Sequence, residues 1–128
     1  MTVRVVRLGS PRLPNEGLRI GTVRRPPRGV PKTEYATRDY YDVWLPILAP
    51  SPELVKEGHH AQDEREVEKF LQHYRREVAR PDTAHLLDVL AALSHTADFS
   101  VGCYCPEEWR CHRAVLRQLL TERGARIE

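Results

Sequence analysis

Residues 103–113 hold all three cysteines of this 128-residue chain, Cys103, Cys105 and Cys111, together with His112 and two guanidiniums, Arg110 and Arg113. The thiolate is the nucleophilic form of cysteine, and nearby cations or a helix N-terminus favour it. Cys111, flanked by Arg110, His112 and Arg113, is the first candidate nucleophile. His112 is its candidate acid-base partner, because an imidazole titrates near neutrality. Arg110 and Arg113 are candidate anion clamps. Cys105 is the second candidate catalytic thiol. It stands at a predicted strand end, and Cys105 to Arg110 has a Cys-x4-Arg spacing similar to a rhodanese-type loop, although proline follows the cysteine at once and the loop has no glycine. Cys103, Cys105, Cys111 and His112 also supply the donor types of a structural Cys3His zinc site. A C-x-C pair followed by adjacent Cys and His departs from the usual two-knuckle spacing.

A second group of cations lies far upstream, in Arg24-Arg25-Pro26-Pro27-Arg28-Gly29-Val30-Pro31-Lys32. That density of proline excludes a helix or a central strand, so the segment is expected as a cationic loop. Arg25, Arg28 and Lys32 are candidate phosphate or anion ligands, with Arg24 beside them, and Tyr35, Tyr40 and Tyr41 follow as candidate stacking partners for a base. Charge is uneven along the chain. Residues 1–38 carry nine Lys/Arg against two Glu, an excess of +7, and the rest carry eleven against sixteen, or −5, for a net +2. Such a distribution suits an anionic partner such as a phosphate, a nucleotide or a nucleic acid. It equally suits an internal match between the two halves. A general nucleic-acid surface is disfavoured by the near-neutral total and the absence of a binding motif.

The elements that position these groups read as follows. Val3 to Leu8 and Leu18 to Val23 are predicted strands, joined as a hairpin with a long connection. Asp42 to Leu45 is a short strand. A short helix starts at Pro52 with Ser51 as cap and ends near Gly58, which leaves His59-His60 in a loop. Asp63 to Ala79 is the clearest helix, with Val67, Phe70, Leu71, Tyr74 and Val78 on one face, acids at its start and arginines at its end. Pro81 ends it. Asp82 or Thr83 caps the next helix, which turns Leu86, Leu87, Leu90 and Leu93 inward. Phe99 to Tyr104 is a buried strand. Residues 112–123 form the last helix, with Cys111 in its first turn and Gly124 as C-cap. The expected fold is a single α/β domain with a small central sheet, some parallel pairing, and flanking helices. The hydrophobic share of 41% supports one core, and the 30% charged share a solvated surface. No apolar run approaches the roughly 18 residues that span a bilayer. The N-terminus lacks a signal-peptide core. Three clustered cysteines do not make a secreted disulfide framework. A cytoplasmic protein without membrane contact is expected.

With its segments placed, the sequence resembles the domain of unknown function 488 family, and its YeaO-like group in particular. The resemblance rests on Gly17-Leu18-Arg19-Ile20, on Arg25-Pro26-Pro27-Arg28-Gly29-Val30-Pro31-Lys32, on Trp44 to Leu54, on Phe70, Tyr74 and Glu77, and on Cys111-His112-Arg113-Ala114-Val115-Leu116 after a cysteine-bearing strand. YeaO-like sequences tend to carry Asp at the position of Arg24 and Asn at that of Cys111, and to lack the Cys103/Cys105 pair. The Cys-His-Arg form resembles the wider family. The resemblance implies the fold and leaves the reaction open. No Ser/His/Asp set, phosphate-loop glycine motif or paired-carboxylate signature is present, and no cofactor is expected. The residues point to a pocket for a small anion or nucleotide between loop 24–32 and segment 103–113, with a reactive thiol. The alternative is a non-catalytic nucleotide- or nucleic-acid-binding module whose cysteines are structural or hold zinc.

Overall fold

The computed structural model describes residues 1–128. Four strands, β1 (Val3–Arg7), β2 (Leu18–Gly21), β3 (Val43–Trp44) and β4 (Phe99–Cys103), form one sheet in the order β1-β4-β2-β3. Every pairing is parallel. The expected β1–β2 hairpin is therefore not formed: β4, the last strand of the chain, lies between them and pairs with both. The physical reason lies in β4. Phe99, Ser100, Val101 and Gly102 are all buried, as a central parallel strand requires, whereas an edge position would leave this run in water.

Four helices follow the third strand or the fourth: α1 (Pro52–His60), α2 (Glu64–Glu77), α3 (Pro81–Leu93) and α4 (Arg113–Glu122). Ser51 caps α1, accepting from the Leu54 N–H, and Pro52 fills its first position. The helix runs on to His60, so His59 and His60 lie in its last turn. Asp63 caps α2 through the Glu66 N–H at 2.8 Å. Pro81 begins α3, and the capping position falls to Arg80 rather than to Asp82 or Thr83. Thr83 Oγ1 instead donates back to the Val78 carbonyl at 2.7 Å, fixing the α2–α3 corner. Val115, Leu116, Leu119 and Leu120 of α4 are buried as their spacing predicts, and Gly124 takes the left-handed conformation (φ +78°) that ends the helix. No helix is long and apolar enough to cross a membrane.

The main core lies between the sheet and the helices, where Val3, Ile20, Phe99 and Val101 meet Tyr74, Leu87, Leu90, Leu116 and Leu120. Side chains alternate across a strand, so Arg19, Gly21, Ser100 and Gly102 belong to the opposite face. That face carries no helix. Segments 8–17 and 32–42 cover it, with Leu8, Val23 and Tyr41 as a small second core. Gly21 and Gly102 have no Cβ because Tyr41 lies against the first, and Leu8 and the Val6 carbonyl against the second.

Arg19 is fully buried on this face and Glu16 is 1% exposed. The guanidinium donates to both Glu16 carboxylate oxygens, at 2.7 and 2.9 Å, and to the Ser10 and Asp39 carbonyls. Ser100 Oγ completes the Glu16 carboxylate at 2.9 Å. Burial by itself pushes the Glu16 carboxyl up, but the hydrogen bonds from Arg19 and Ser100 outweigh it and hold it below the usual carboxylate range. Breaking such a pair leaves an uncompensated buried charge, at a cost of about 3–5 kcal/mol. Glu16→Gln and Arg19→Ala are each expected to lower unfolding free energy by that order in urea titrations. A carboxyl depressed in the folded state stabilises the fold above its unfolded value, about 4.3, and loses that contribution as pH falls through the folded value. The wild-type protein should therefore lose stability on acidification below that value, and Glu16→Gln should flatten the slope.

Candidate functional site

All strands run the same way, so their carboxyl ends lie at one edge of the sheet, where parallel α/β proteins place their ligand crevices. A cavity of about 1280 Å³ opens there. Loop 24–28 follows β2 and forms one wall. Cys103, Cys105 and segment 106–112 follow β4 and form another, and α1 with Phe70 of α2 forms the third. Parts of the two segments that the sequence singles out, residues 24–28 and residues between 103 and 112, thus meet at one cavity.

Cys111 is 3% exposed and extended (φ −103°, ψ 150°), two residues before α4 begins; it does not occupy the first helical turn. His112 takes the N-cap position. Its Nε2 reaches back to the β2 exit and lies 2.7 Å from the Thr22 carbonyl, which can only accept. Nε2 therefore carries the proton, and in the neutral ring Nδ1 is the free acceptor. That Nδ1 lies 3.7 Å from Cys111 Sγ. The ring is held edge-on by Tyr74, centroid to centroid 5.1 Å, and Tyr74 donates in turn to the Leu48 carbonyl. Arg113 is buried and does not face the cavity. Its Nε donates to Cys111 Sγ at 3.4 Å and a terminal nitrogen donates to the Cys105 carbonyl at 2.7 Å. It clamps the thiol segment, where an anion clamp was expected.

The half-exposed Cys103 on the cavity wall is a thiol the sequence reading left out of the catalytic set. Its Sγ, Cys111 Sγ and a His112 ring nitrogen all lie within 4.8 Å of one another. Hydrogen bonding from the Cys111 thiol holds Cys103 below the usual thiol value, against the opposing effect of burial, with Cys105 backbone and Arg113 charge assisting. Cys105 goes the other way. Its hydrogen bond to Cys111, then burial, push its thiol well above the usual value, and its Sγ donates to the Glu107 carbonyl at 3.5 Å. The two thiols of the Cys-x-Cys pair are thus shifted in opposite directions. The alternation of Cys103 and Cys105 along a strand was visible in sequence. The approach of Cys103 to Cys111 required the fold.

Only three of the four expected zinc donors converge, Cys105 standing apart from the set. With Arg113 already in contact with Cys111, the closed four-ligand Cys3His site is not formed. Arg25 and Arg28 are exposed and line the cavity. Arg24 also lines it, but spends its guanidinium on the Ala49 and Pro50 carbonyls, at 3.1 and 2.9 Å. Arg110 faces the cavity while donating to the Ala61 carbonyl at 2.8 Å. Lys56 and His59 of α1 add further cationic or ionisable groups to the rim. Lys32 does not reach this site. It borders a separate cavity of about 200 Å³ with Tyr35, Tyr41 and Trp44. The tyrosines expected to stack on a base instead pack on the second core, Tyr35 edge-on to Tyr41 at 5.3 Å and Tyr40 to Tyr104 at 6.1 Å.

Because the Cys111 thiol is the chief support of the Cys103 thiolate, Cys111→Ala is expected to raise the midpoint of Cys103 alkylation against pH. At neutral pH the Cys103 rate should fall several-fold. Residue-resolved alkylation followed by peptide mass spectrometry reads both.

The chain has no match among curated proteins or solved structures. The sequence model of the family described as the active DUF488-N3 subclade matches residues 3–124, from β1 through the end of α4, and so takes in both the arginine loop and the cysteine segment. This agrees with the resemblance carried by the Cys-His-Arg turn and the Pro-Arg-Gly loop, and the chain belongs to the DUF488 family.

Proposed function

We propose that the cavity takes a small anionic electrophile and presents a sulfur nucleophile to it. The observation that carries this reading is the Cys103, Cys111 and His112 cluster, its donor atoms within 4.8 Å, set into a cavity rimmed by Arg25, Arg28 and Arg110. Thiolates need nearby cations and donors, and Arg113 against Cys111 supplies one of each. The imidazole is fixed by Thr22 so that its free nitrogen faces the thiols, which makes His112 Nδ1 the acceptor of the proton that the pair gives up. Cys103, the more exposed sulfur of the pair, attacks. Cys111, named by sequence as the nucleophile, supports it from below. Arg25 and Arg28 have guanidiniums exposed at the rim and suit a phosphate, carboxylate or sulfonate group. A reducing compartment such as the cytoplasm keeps such thiols available.

The alternative, a nucleotide- or nucleic-acid-binding module with structural cysteines, lacks its stacking platform, since Tyr40 and Tyr41 are taken up by the second core. Sulfur transfer from Cys105 is disfavoured by the environment that keeps that thiol protonated.

The charge of the alkylating agent tests the reading. A free thiol such as glutathione sets the reference ratio of its rates with iodoacetate and iodoacetamide. Cys103 should favour iodoacetate several-fold more than the reference does. The double substitution Arg25→Ala, Arg28→Ala should return the ratio toward the reference, with the iodoacetate rate falling more than the iodoacetamide rate. A wild-type ratio equal to that of glutathione, unmoved by the arginine substitutions, removes the anion site.

A further inference from the structure

Cys103 and Cys111 differ in depth. Both line the cavity, but the first is partly exposed and the second is 3% exposed, in contact with its proton acceptor, His112 Nδ1, at 3.7 Å. An incoming molecule meets Cys103 first. Any group then attached to Cys103 Sγ is within reach of a second sulfur that has its own base. One nucleophile needs no such neighbour, and a purely structural cysteine needs no base. Two thiols in this order are the arrangement by which a mixed disulfide is formed and then resolved.

We propose that Cys103 and Cys111 are an attacking and resolving thiol pair, and that the substrate class is a small anionic disulfide or related compound with a reducible S–S bond. This deepens the reading above and rests on it. In the first step the Cys103 thiolate attacks one sulfur of R–S–S–R′. The Cys103–S–R bond forms, the S–S bond of the substrate breaks, and R′–S⁻ leaves. In the second step Cys111 passes its thiol proton to His112 Nδ1, and its thiolate attacks Cys103 Sγ. The Cys103–Cys111 disulfide forms, the S–S bond between Cys103 Sγ and the substrate sulfur breaks, and R–S⁻ leaves, free to take the proton from His112. The substrate gains two electrons and the protein dithiol loses them. A low-molecular-weight thiol reductant restores the pair. The rim arginines Arg25 and Arg28 explain why the substrate is anionic. Cys105, held protonated and turned to the Glu107 carbonyl, takes no part.

The probe is 5,5′-dithiobis(2-nitrobenzoate), an anionic aryl disulfide, used with the full chain in a Cys105→Ser background. The expected result is release of two nitrothiobenzoate ions per chain with no adduct retained, and a Cys103–Cys111 disulfide by peptide mapping. Adding Cys111→Ser should leave one ion released and one adduct trapped on Cys103. Adding Cys103→Ser should slow the reaction at Cys111 many-fold, because that residue is only 3% exposed. Two retained adducts in the Cys105→Ser protein, or an adduct on Cys103 that persists while Cys111 is present, overturns the pair. In otherwise wild-type protein, a Cys105–Cys111 disulfide would do the same. Far-ultraviolet circular dichroism of each variant excludes loss of fold as the cause. The outcome is separable from that of the alkylation test. A preference of Cys103 for iodoacetate with no disulfide formed keeps the nucleophilic anion site and removes only the resolving role.

Discussion

A parallel sheet is normally covered by helices on both faces, and this one has helices on one. The consequence is a shortage of hydrogen-bond partners. Irregular segments 8–17 and 32–42 lie against the bare face, and the Ser10 and Asp39 carbonyls turn inward from them. Arg19 meets that need. Its planar fork has five donors, and four hydrogen bonds run from it to the Ser10 and Asp39 carbonyls and to Glu16, which Ser100 of β4 also holds. One buried ion pair therefore ties β2, β4 and both covering segments together. Asp39 has φ +62°, the only positive φ outside glycine, where its carbonyl meets the guanidinium. A hydrophobic residue at position 19 would fill the same space and leave those carbonyls orphaned.

The register this imposes reaches the cavity. Arg19 pairs with Ser100 and Gly21 with Gly102, so the strands exit side by side, at Thr22 and Cys103. His112 spans the gap between them through the Thr22 carbonyl, and Thr22 Oγ1 donates to the Gly102 carbonyl at 2.9 Å. The thiol cluster is thus assembled from two strand ends and the approach to α4, all rigid elements. That is what a site needs if its sulfurs are to stay at a fixed separation. The short 3-10 turn Glu108–Arg110 is pinned in its turn by the Arg117–Glu108 pair, at 2.6 and 3.0 Å.

The amphipathic pattern of α2 and α4, the cap at Ser51, and the fourth strand were legible in sequence because each is a local property. Strand order was not. Val3 to Leu8 and Leu18 to Val23 are close in sequence and β-rich, so they read as a hairpin, and nothing local says that Phe99 to Cys103 will insert between them. Arg19 was counted as one more cation of a basic surface, because burial of a charge depends on a partner that only the fold supplies. The Cys-His-Arg turn drew the eye to Cys111, since its neighbours in sequence are cationic. In space Cys111 lies beside Cys103 and lowers the thiol of that residue, whose sequence surroundings, Gly102 and Tyr104, carry no such signal.

The +7 excess of the first 38 residues looks like a field for an anion, and part of it is spent inside the protein. Arg4 pairs with Glu128 and Arg12 with Asp39 and Asp42, while Arg24 serves two carbonyls. The internal match between halves of opposite charge is therefore real in part, but it stops at the loop after β2. Prolines 26 and 27 keep that loop out of the sheet, and Arg25 and Arg28 line the cavity that Cys103 and Cys111 also line. Cations beside thiols raise the local potential, and on the function proposed above that one field both favours a thiolate and draws in the anion. The two features that sequence showed separately, a cationic loop and a cysteine cluster, border one cavity because β2 and β4 end side by side.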